Sequence, residues 1–219
     1  LHEYGVERIF SPEDGQQMGW TGMIASMIQA CGVELSSPEV PIEELAAGGV
    51  AALARTITSL EAGVVPEGVL ADLRDRAAAR GVPVLGITGT GGSGKSSLTD
   101  ELVRRLRLDQ EDKVRVAVLA IDPTRRRGGG ALLGDRIRMN SIDTPQVYFR
   151  SLATRPGPDP AGVTVPRALD QVVTAAKAWG ADLVLVETPG IGQGDAAIVP
   201  HVDIPIYVTG MSFGALSYE

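Results

Sequence analysis

The chain has 219 residues, 44% hydrophobic and 4% aromatic, which is room for one sizeable domain with an appendage. A formal net charge of −7, with a pI near 4.9, argues against a general role on nucleic acid or on a membrane surface. The single cysteine, Cys31, rules out an internal disulfide framework and fits a reducing compartment, where a small buried apolar side chain is expected at that position.

Neither a signal peptide nor an apolar run of the roughly 18 residues a spanning helix needs is read, so the cytoplasm is the default expectation. Leu1 stands in mid-pattern without an initiator Met, and Glu219 comes soon after a predicted strand, so both ends read as cut. Within residues 1–35, Val6–Phe10 is a predicted strand and Ser11–Gly15 a loop with strong turn chemistry. A helix carrying Met18, Ile24, Met27 and Ile28 comes next and closes near Cys31–Gly32. Such a βα unit cannot bury its own apolar face. It reads either as a decoration on the next domain or as the last βα unit of a preceding α/β domain.

Residues 36–81 read as a linker and lead-in helices. Ser36–Pro41 is polar and twice interrupted by proline. Ile42–Ala62 has helical spacing that Gly48–Gly49 would break, and Pro66–Arg80 offers a helix with Val69, Leu73 and Ala77 on one face. These helices are expected to pack against the domain that begins at Val82 and hold no catalytic constellation.

Val82–Thr88 is a short β-rich apolar run, expected to be a buried parallel strand. Gly89-Thr90-Gly91-Gly92-Ser93-Gly94-Lys95-Ser96 then fits G-x-x-x-x-G-K-[ST] at every fixed position, followed by Ser97 and a helical pattern with Leu98, Leu102 and Leu106. Glycines let successive backbone N–H groups turn inward, the helix N-terminus adds its positive dipole end, Lys95 reaches the β- and γ-phosphates, and the Ser96 hydroxyl can hold Mg²⁺. The alternative, a glycine-rich turn with a solvated lysine, does not explain a strand before and a helix after.

Val114–Ile121 is a second predicted strand, ending at Asp122-Pro123 before a loop with Arg125–Arg127 and Gly128–Gly130. Ligands of open α/β sheets sit beyond the carboxyl ends of strands, so Asp122 suits a metal or its waters, or else initiates a turn before proline. The Arg/Gly loop reads as a switch or as a solvated charge run. Gly134-Asp135 precedes an Arg- and Met-rich helix over 136–139, Tyr148-Phe149 marks a third strand, and Thr154–Val163 is a Pro/Gly loop. Val165–Trp179 is an amphipathic helix, Asp182–Val186 another buried strand, and Ile204–Val208 the last. Between those last two strands, Glu187-Thr188-Pro189-Gly190 is the E-x-x-G form of the Walker B pattern, whose carboxylate orients Mg²⁺ or its water and whose glycine N–H follows the γ-phosphate.

Asn140 is the only asparagine, so no N-K-x-D guanine-reading motif is present. Thr90 stands where paired ATPases carry an extra lysine, and Ile191 stands where Ras-like GTPases carry a water-positioning Gln, with Gln193 nearby.

Three stretches together carry a resemblance: Pro83–Ser97 (P-V-L-G-I-T-G-T-G-G-S-G-K-S-S), Asp122–Met139 (D-P-T-R-R-R-G-G-G-A-L-L-G-D-R-I-R-M) and Leu183–Gln193 (L-V-L-V-E-T-P-G-I-G-Q). They resemble the G-protein chaperones of adenosylcobalamin-dependent acyl-CoA mutases (the MeaB/ArgK-like P-loop GTPases), including the form in which cobalamin-binding domain, G-domain and mutase barrel share one chain. Leu1–Gly15 resembles the last βα unit of that cobalamin-binding domain, and Ala52–Glu61 resembles the lead-in helix of the chaperone.

The implied fold is an α/β P-loop NTPase, a mostly parallel sheet with helices on both faces, preceded by a βα remnant of a flavodoxin-like domain. Its parts would be 1–35, the cobalamin-domain unit; 36–81, the lead-in; 82–208, a truncated GTPase domain; and 209–219, a tail of uncertain origin. The resemblance further implies that Gly89–Ser97 and Gly190 bind GTP, that Lys95, Asp135 and Glu187 serve catalysis, and that Ser96, Asp122, Asp135 and Glu187 surround Mg²⁺ and the attacking water. Gly190–Gln193 would form a switch. Guanine nucleotide and an acyl-CoA mutase domain, in the same chain or a partner subunit, are the implied partners, with a homodimer left open. GTP hydrolysis would gate loading and protection of the mutase cofactor.

The D-x-H-x-x-G loop that provides the cobalt-ligating histidine is not in the sequence, since His2 and His201 stand in other patterns. Met211–Ser217 resembles a loop of the flavin domain of glutamate synthase, and no flavin is predicted from so short a stretch. A P-loop small-molecule kinase and a non-catalytic nucleotide-binding or interaction fragment remain the alternative functions.

Overall fold

A computed structural model describes residues 3, 5–123, 139–154, 165–190 and 193–210, without the side chains of Pro123 and of 193–196. The Arg/Gly loop, Asp135 with the start of the helix expected after it, the Pro/Gly loop past Thr154, Ile191 and the tail from 211 lie outside the described residues. The chain divides into two units, Leu1–Leu35 and Ser36–Glu219.

In the first unit, helix α1 spans Pro12–Cys31. Ser11-Pro12-Glu13-Asp14, expected to be a loop, is instead the helix start. The Ser11 hydroxyl accepts the Asp14 N–H at 3.2 Å while the Asp14 carboxylate accepts the Ser11 N–H at 2.8 Å, and Pro12 pre-sets the first turn. That backbone N–H, then the Ser11 side chain, holds the Asp14 carboxyl below its ordinary range. Val6–Phe10, expected as a strand, has no regular structure, because the described residues of this unit offer no second strand to complete its hydrogen bonds. Arg8 instead lies 4.8 Å over the Phe10 ring and donates to Ser26 Oγ at 2.8 Å. Cys31 is exposed rather than buried, as α1 has no buried residue at all.

The second unit begins with α2 (Ile42–Ala46), α3 (Val50–Ala62) and α4 (Glu67–Ala78), with the Gly48–Gly49 break where expected. Then come β1 (Val84–Gly89), α5 (Lys95–Asp109), β2 (Val116–Pro123), β3 (Val147–Thr154), α6 (Leu169–Trp179), β4 (Leu183–Glu187), a 3₁₀ helix (Gln193–His201) and β5 (Ile204–Val208). The five strands form one sheet in the order β3-β2-β4-β1-β5, parallel at every pairing. This is the expected P-loop α/β architecture.

Strand residues alternate between two apolar layers, as a period of two requires. Ala117, Leu119, Ile121, Val184 and Val186 face α3, α4 and α6 through Leu53, Ile57, Leu73, Val172 and Trp179. Val116, Val118, Ala120 and Leu185 face α5 through Val103. Covering both faces is what makes β2 and β4 read as unbroken apolar runs.

The topology fixes where a ligand would go. From β1 the chain leaves towards β2 on one side, and from β4 it leaves towards β5 on the other. These two strands are neighbours, with Ile87 paired to Glu187, and each connection passes across the other strand, so the loops leaving their carboxyl ends together line the crevice where such sheets take a ligand.

Candidate phosphate and metal site

β1 delivers the glycine-rich turn to that crevice. Gly89 has φ +140, and a Cβ there would lie 2.1 Å from the Val208 carbonyl oxygen, so only glycine lets β5 close beside the loop. α5 then starts directly at Lys95, with Gly94 left-handed at its N-cap and no side-chain cap. Its first-turn N–H groups are therefore left for another acceptor, the arrangement that favours an anion. Ser93 Oγ is buried in the turn without a hydrogen-bond partner, a polar atom that a phosphate oxygen would satisfy.

Lys95 is buried and folds over its own loop, donating from Nζ to the Gly89 and Thr90 carbonyls at 2.9 Å each. Gly190 lies against it. At φ +74, a Cβ on Gly190 would stand 2.1 Å from Lys95 Nζ, so the E-x-x-G glycine is what allows the two motifs to touch. Thr188 reinforces the junction: its N–H donates to the Ile87 carbonyl at 3.0 Å and its hydroxyl to Thr88 Oγ1 at 3.1 Å.

Glu187, at the end of β4, is 3% exposed and is held by helix α5. Ser96 Oγ donates to Glu187 Oε1 at 2.5 Å, and Thr99 Oγ1 donates to Oε2 at 2.9 Å. Asp122, also 3% exposed, is the penultimate residue of the adjacent strand β2, two residues beyond Ala120, which pairs with Glu187. Ser97, one residue along α5, is exposed. The structure thus gathers Gly89, Lys95, Ser96, Glu187 and Gly190 at one point and brings Asp122 to the next strand end, while Asp135 lies outside the described residues.

Among the described residues no group of three or more His, Cys, Asp and Glu is placed to hold a metal ion. The donor set of Ser96, Glu187 and Asp122 is all hard oxygen, which suits Mg²⁺, a cation commonly held by one or two carboxylates together with substrate phosphates.

The sequence missed Thr99. The expected stripe of Leu98, Leu102 and Leu106 is only half-buried, whereas Lys95, Thr99 and Val103 form the buried face of α5. The available signal was a threonine three residues after Ser96, on the same helical face.

Comparison with known proteins agrees with this geometry. The model of the methylmalonyl-CoA mutase-associated GTPase MeaB family matches residues 53–215, a match that continues past Val208, the expected end of the GTPase domain, into the stretch read as a tail of uncertain origin. The fused isobutyryl-CoA mutase of Nocardia farcinica is 61% identical over 214 residues, 96% of this chain and 19% of the relative. That of Cupriavidus metallidurans is 56% identical over 99% of this chain and 20% of its own length. A putative GTPase of Pyrococcus abyssi is 41% identical over 60% of this chain and 39% of its own. The chain therefore spans about a fifth of the length of the fused mutases it matches. Among solved structures, a LAO/AO transport system kinase superposes with a TM-score of 0.51 at 25% identity, over 76% of this chain and 48% of that one. By this family match, the chain belongs to the methylmalonyl-CoA mutase-associated GTPase family, MeaB.

Proposed function

We propose that this chain binds GTP with Mg²⁺ and hydrolyses it, as the chaperone domain that gates cofactor loading and protection of an adenosylcobalamin-dependent acyl-CoA mutase. The observation that carries the reading is the contact between the two motifs, with Ser96 of the P-loop bonded to Glu187 of the E-x-x-G segment.

In this reading the N–H groups of Gly89–Ser97 surround the β- and γ-phosphates and Lys95 turns its ammonium from the loop carbonyls to their oxygens. Ser96, Glu187 and Asp122 hold Mg²⁺ or its waters, with Asp135 completing the acidic group. Mg²⁺, when bound, draws charge from the β- and γ-phosphate oxygens. Glu187 also orients the attacking water, and the Gly190 N–H follows the γ-phosphate, so that the segment to Gln193 senses hydrolysis.

The choice of GTP and of a mutase as partner rests on the names of the family and relatives, among them fused isobutyryl-CoA mutases and a putative GTPase. Among the described residues no helix is long and apolar enough to cross a membrane, and the proposed site of action is the cytoplasm. The test is product analysis with GTP and Mg²⁺ for the protein and its Glu187→Gln variant. Free phosphate from the parent and its loss in the variant are expected. A phosphorylated small molecule in place of free phosphate would make the protein a kinase, and no turnover would leave a nucleotide-binding module.

A further inference from the structure

Thr99 is fully buried on the second turn of α5 and bears a hydroxyl where the helix needs only an apolar side chain. Its one proton has two acceptors within reach, the Lys95 carbonyl at 3.0 Å and Glu187 Oε2 at 2.9 Å. Bonding to the carbonyl four residues back is the ordinary habit of a helical threonine. A carboxylate oxygen is a stronger acceptor than a peptide carbonyl. Glu187 is thus gripped at both oxygens by one helix face, Oε1 by Ser96 and Oε2 by Thr99.

The two hydroxyls are not equivalent. Under the proposed function, on which this inference rests, the Ser96 oxygen is committed to Mg²⁺, and its bond to Glu187 must adjust when nucleotide arrives. Thr99 lies a turn deeper and has no such commitment. We propose that Thr99 is a positioning residue that fixes the carboxylate plane of Glu187, keeping Oε1 directed at Ser96 and the cation in both the loaded and unloaded states. A metal's outer-shell hydrogen bonds act in this way, orienting the ligand they touch. Thr99 also joins two motifs that are far apart along the chain: its hydroxyl spans the Lys95 backbone and the end of β4.

The test uses the full-length protein, with Thr99→Val, Thr99→Ala and Thr99→Ser. Binding of a fluorescent, hydrolysis-resistant GTP analogue is titrated with Mg²⁺ and, separately, measured in EDTA, and kcat and KM for GTP are determined. Valine keeps the shape and loses the hydroxyl, so the Mg²⁺ concentration for half-saturation should rise about tenfold and kcat fall by a similar factor. Affinity in EDTA should stay within about twofold, because the P-loop amides and Lys95 do not depend on Glu187. Serine should restore parent behaviour. Where the valine variant does not fold, alanine against serine isolates the hydroxyl in the same way. An unchanged Mg²⁺ dependence in the hydroxyl-free variants, or a loss of affinity in EDTA as large as in Mg²⁺, would overturn the inference, the second by making Thr99 a packing residue. Parent protein that hydrolyses GTP beside an indifferent Thr99→Val refutes Thr99 alone, whereas a parent that neither binds nor hydrolyses GTP refutes the proposed function and this inference together.

Discussion

β4 and β5 have five residues each and lie parallel to β1 on its two sides, yet their surroundings differ completely. β4 sits between β1 and β2 with apolar layers on both faces, and Val184, Leu185 and Val186 are fully buried. Among the described residues β5 pairs with β1 alone, and leaves Ile204 53% and Tyr207 62% exposed. Backbone pairing therefore does not by itself bury a strand; cover on both faces does. The strand that ends in the site carboxylate is the covered one, which suits a residue that must hold a charge within a fraction of an ångström.

Substitutions can break or sharpen this contrast. The largest effect is expected from Glu187→Gln, which keeps the shape and removes the charge that β4 delivers; GTP turnover should fall roughly 100-fold or more, read as phosphate release. Next is Leu185→Ala, which opens a cavity between β4 and α5 and should cost about 2–5 kcal/mol in a denaturant melt. Asp203→Ala is intermediate. Asp203 clamps the start of β1, accepting the Val84 N–H on its carboxylate at 2.8 Å and donating its own N–H to the Val84 carbonyl at 2.9 Å. Only the first bond is lost, for about 1–2 kcal/mol. Tyr207→Ala should be the mildest, within about 0.5 kcal/mol, because the ring is mostly in water already. A loss at Tyr207 as large as that at Leu185 would erase the distinction between the two strands.

Much of this was legible in the sequence because it is local. The strand, turn and helix of Val82–Leu106 are consecutive, and so are the apolar run and acid of Asp182–Glu187; each motif constrains its own backbone. What a motif does not contain is its neighbour. That β4 inserts beside β1, and so sets Glu187 opposite Ser96 and Thr99 across 91 and 88 residues of chain, is a property of strand order. Thr99 gains its role only from that order, and the leucine stripe drew attention to the wrong face of α5. The errors in residues 1–35 have the opposite origin. Val6–Phe10 has strand-like composition, and the described residues of its unit offer it no strand to pair with. At Ser11–Asp14, residues favoured in turns are equally those of a capping box, and the box wins because a helical stretch, running to a kink at Gly19, comes after it.

The joined motifs are held to form a guanine-nucleotide site, and thermal melting tests this most directly. The protein is melted with Mg²⁺ and either GTP or ATP, beside its Lys95→Ala variant. A ligand at roughly 100 times its Kd adds about 2.7 kcal/mol to the folded state, which for a domain of this size raises Tm by about 5–10 °C. A guanine-nucleotide site predicts such a rise with GTP, little with ATP, and none with either nucleotide in Lys95→Ala. Stabilisation by ATP that GTP cannot displace, or a GTP response that survives the loss of Lys95, would contradict it.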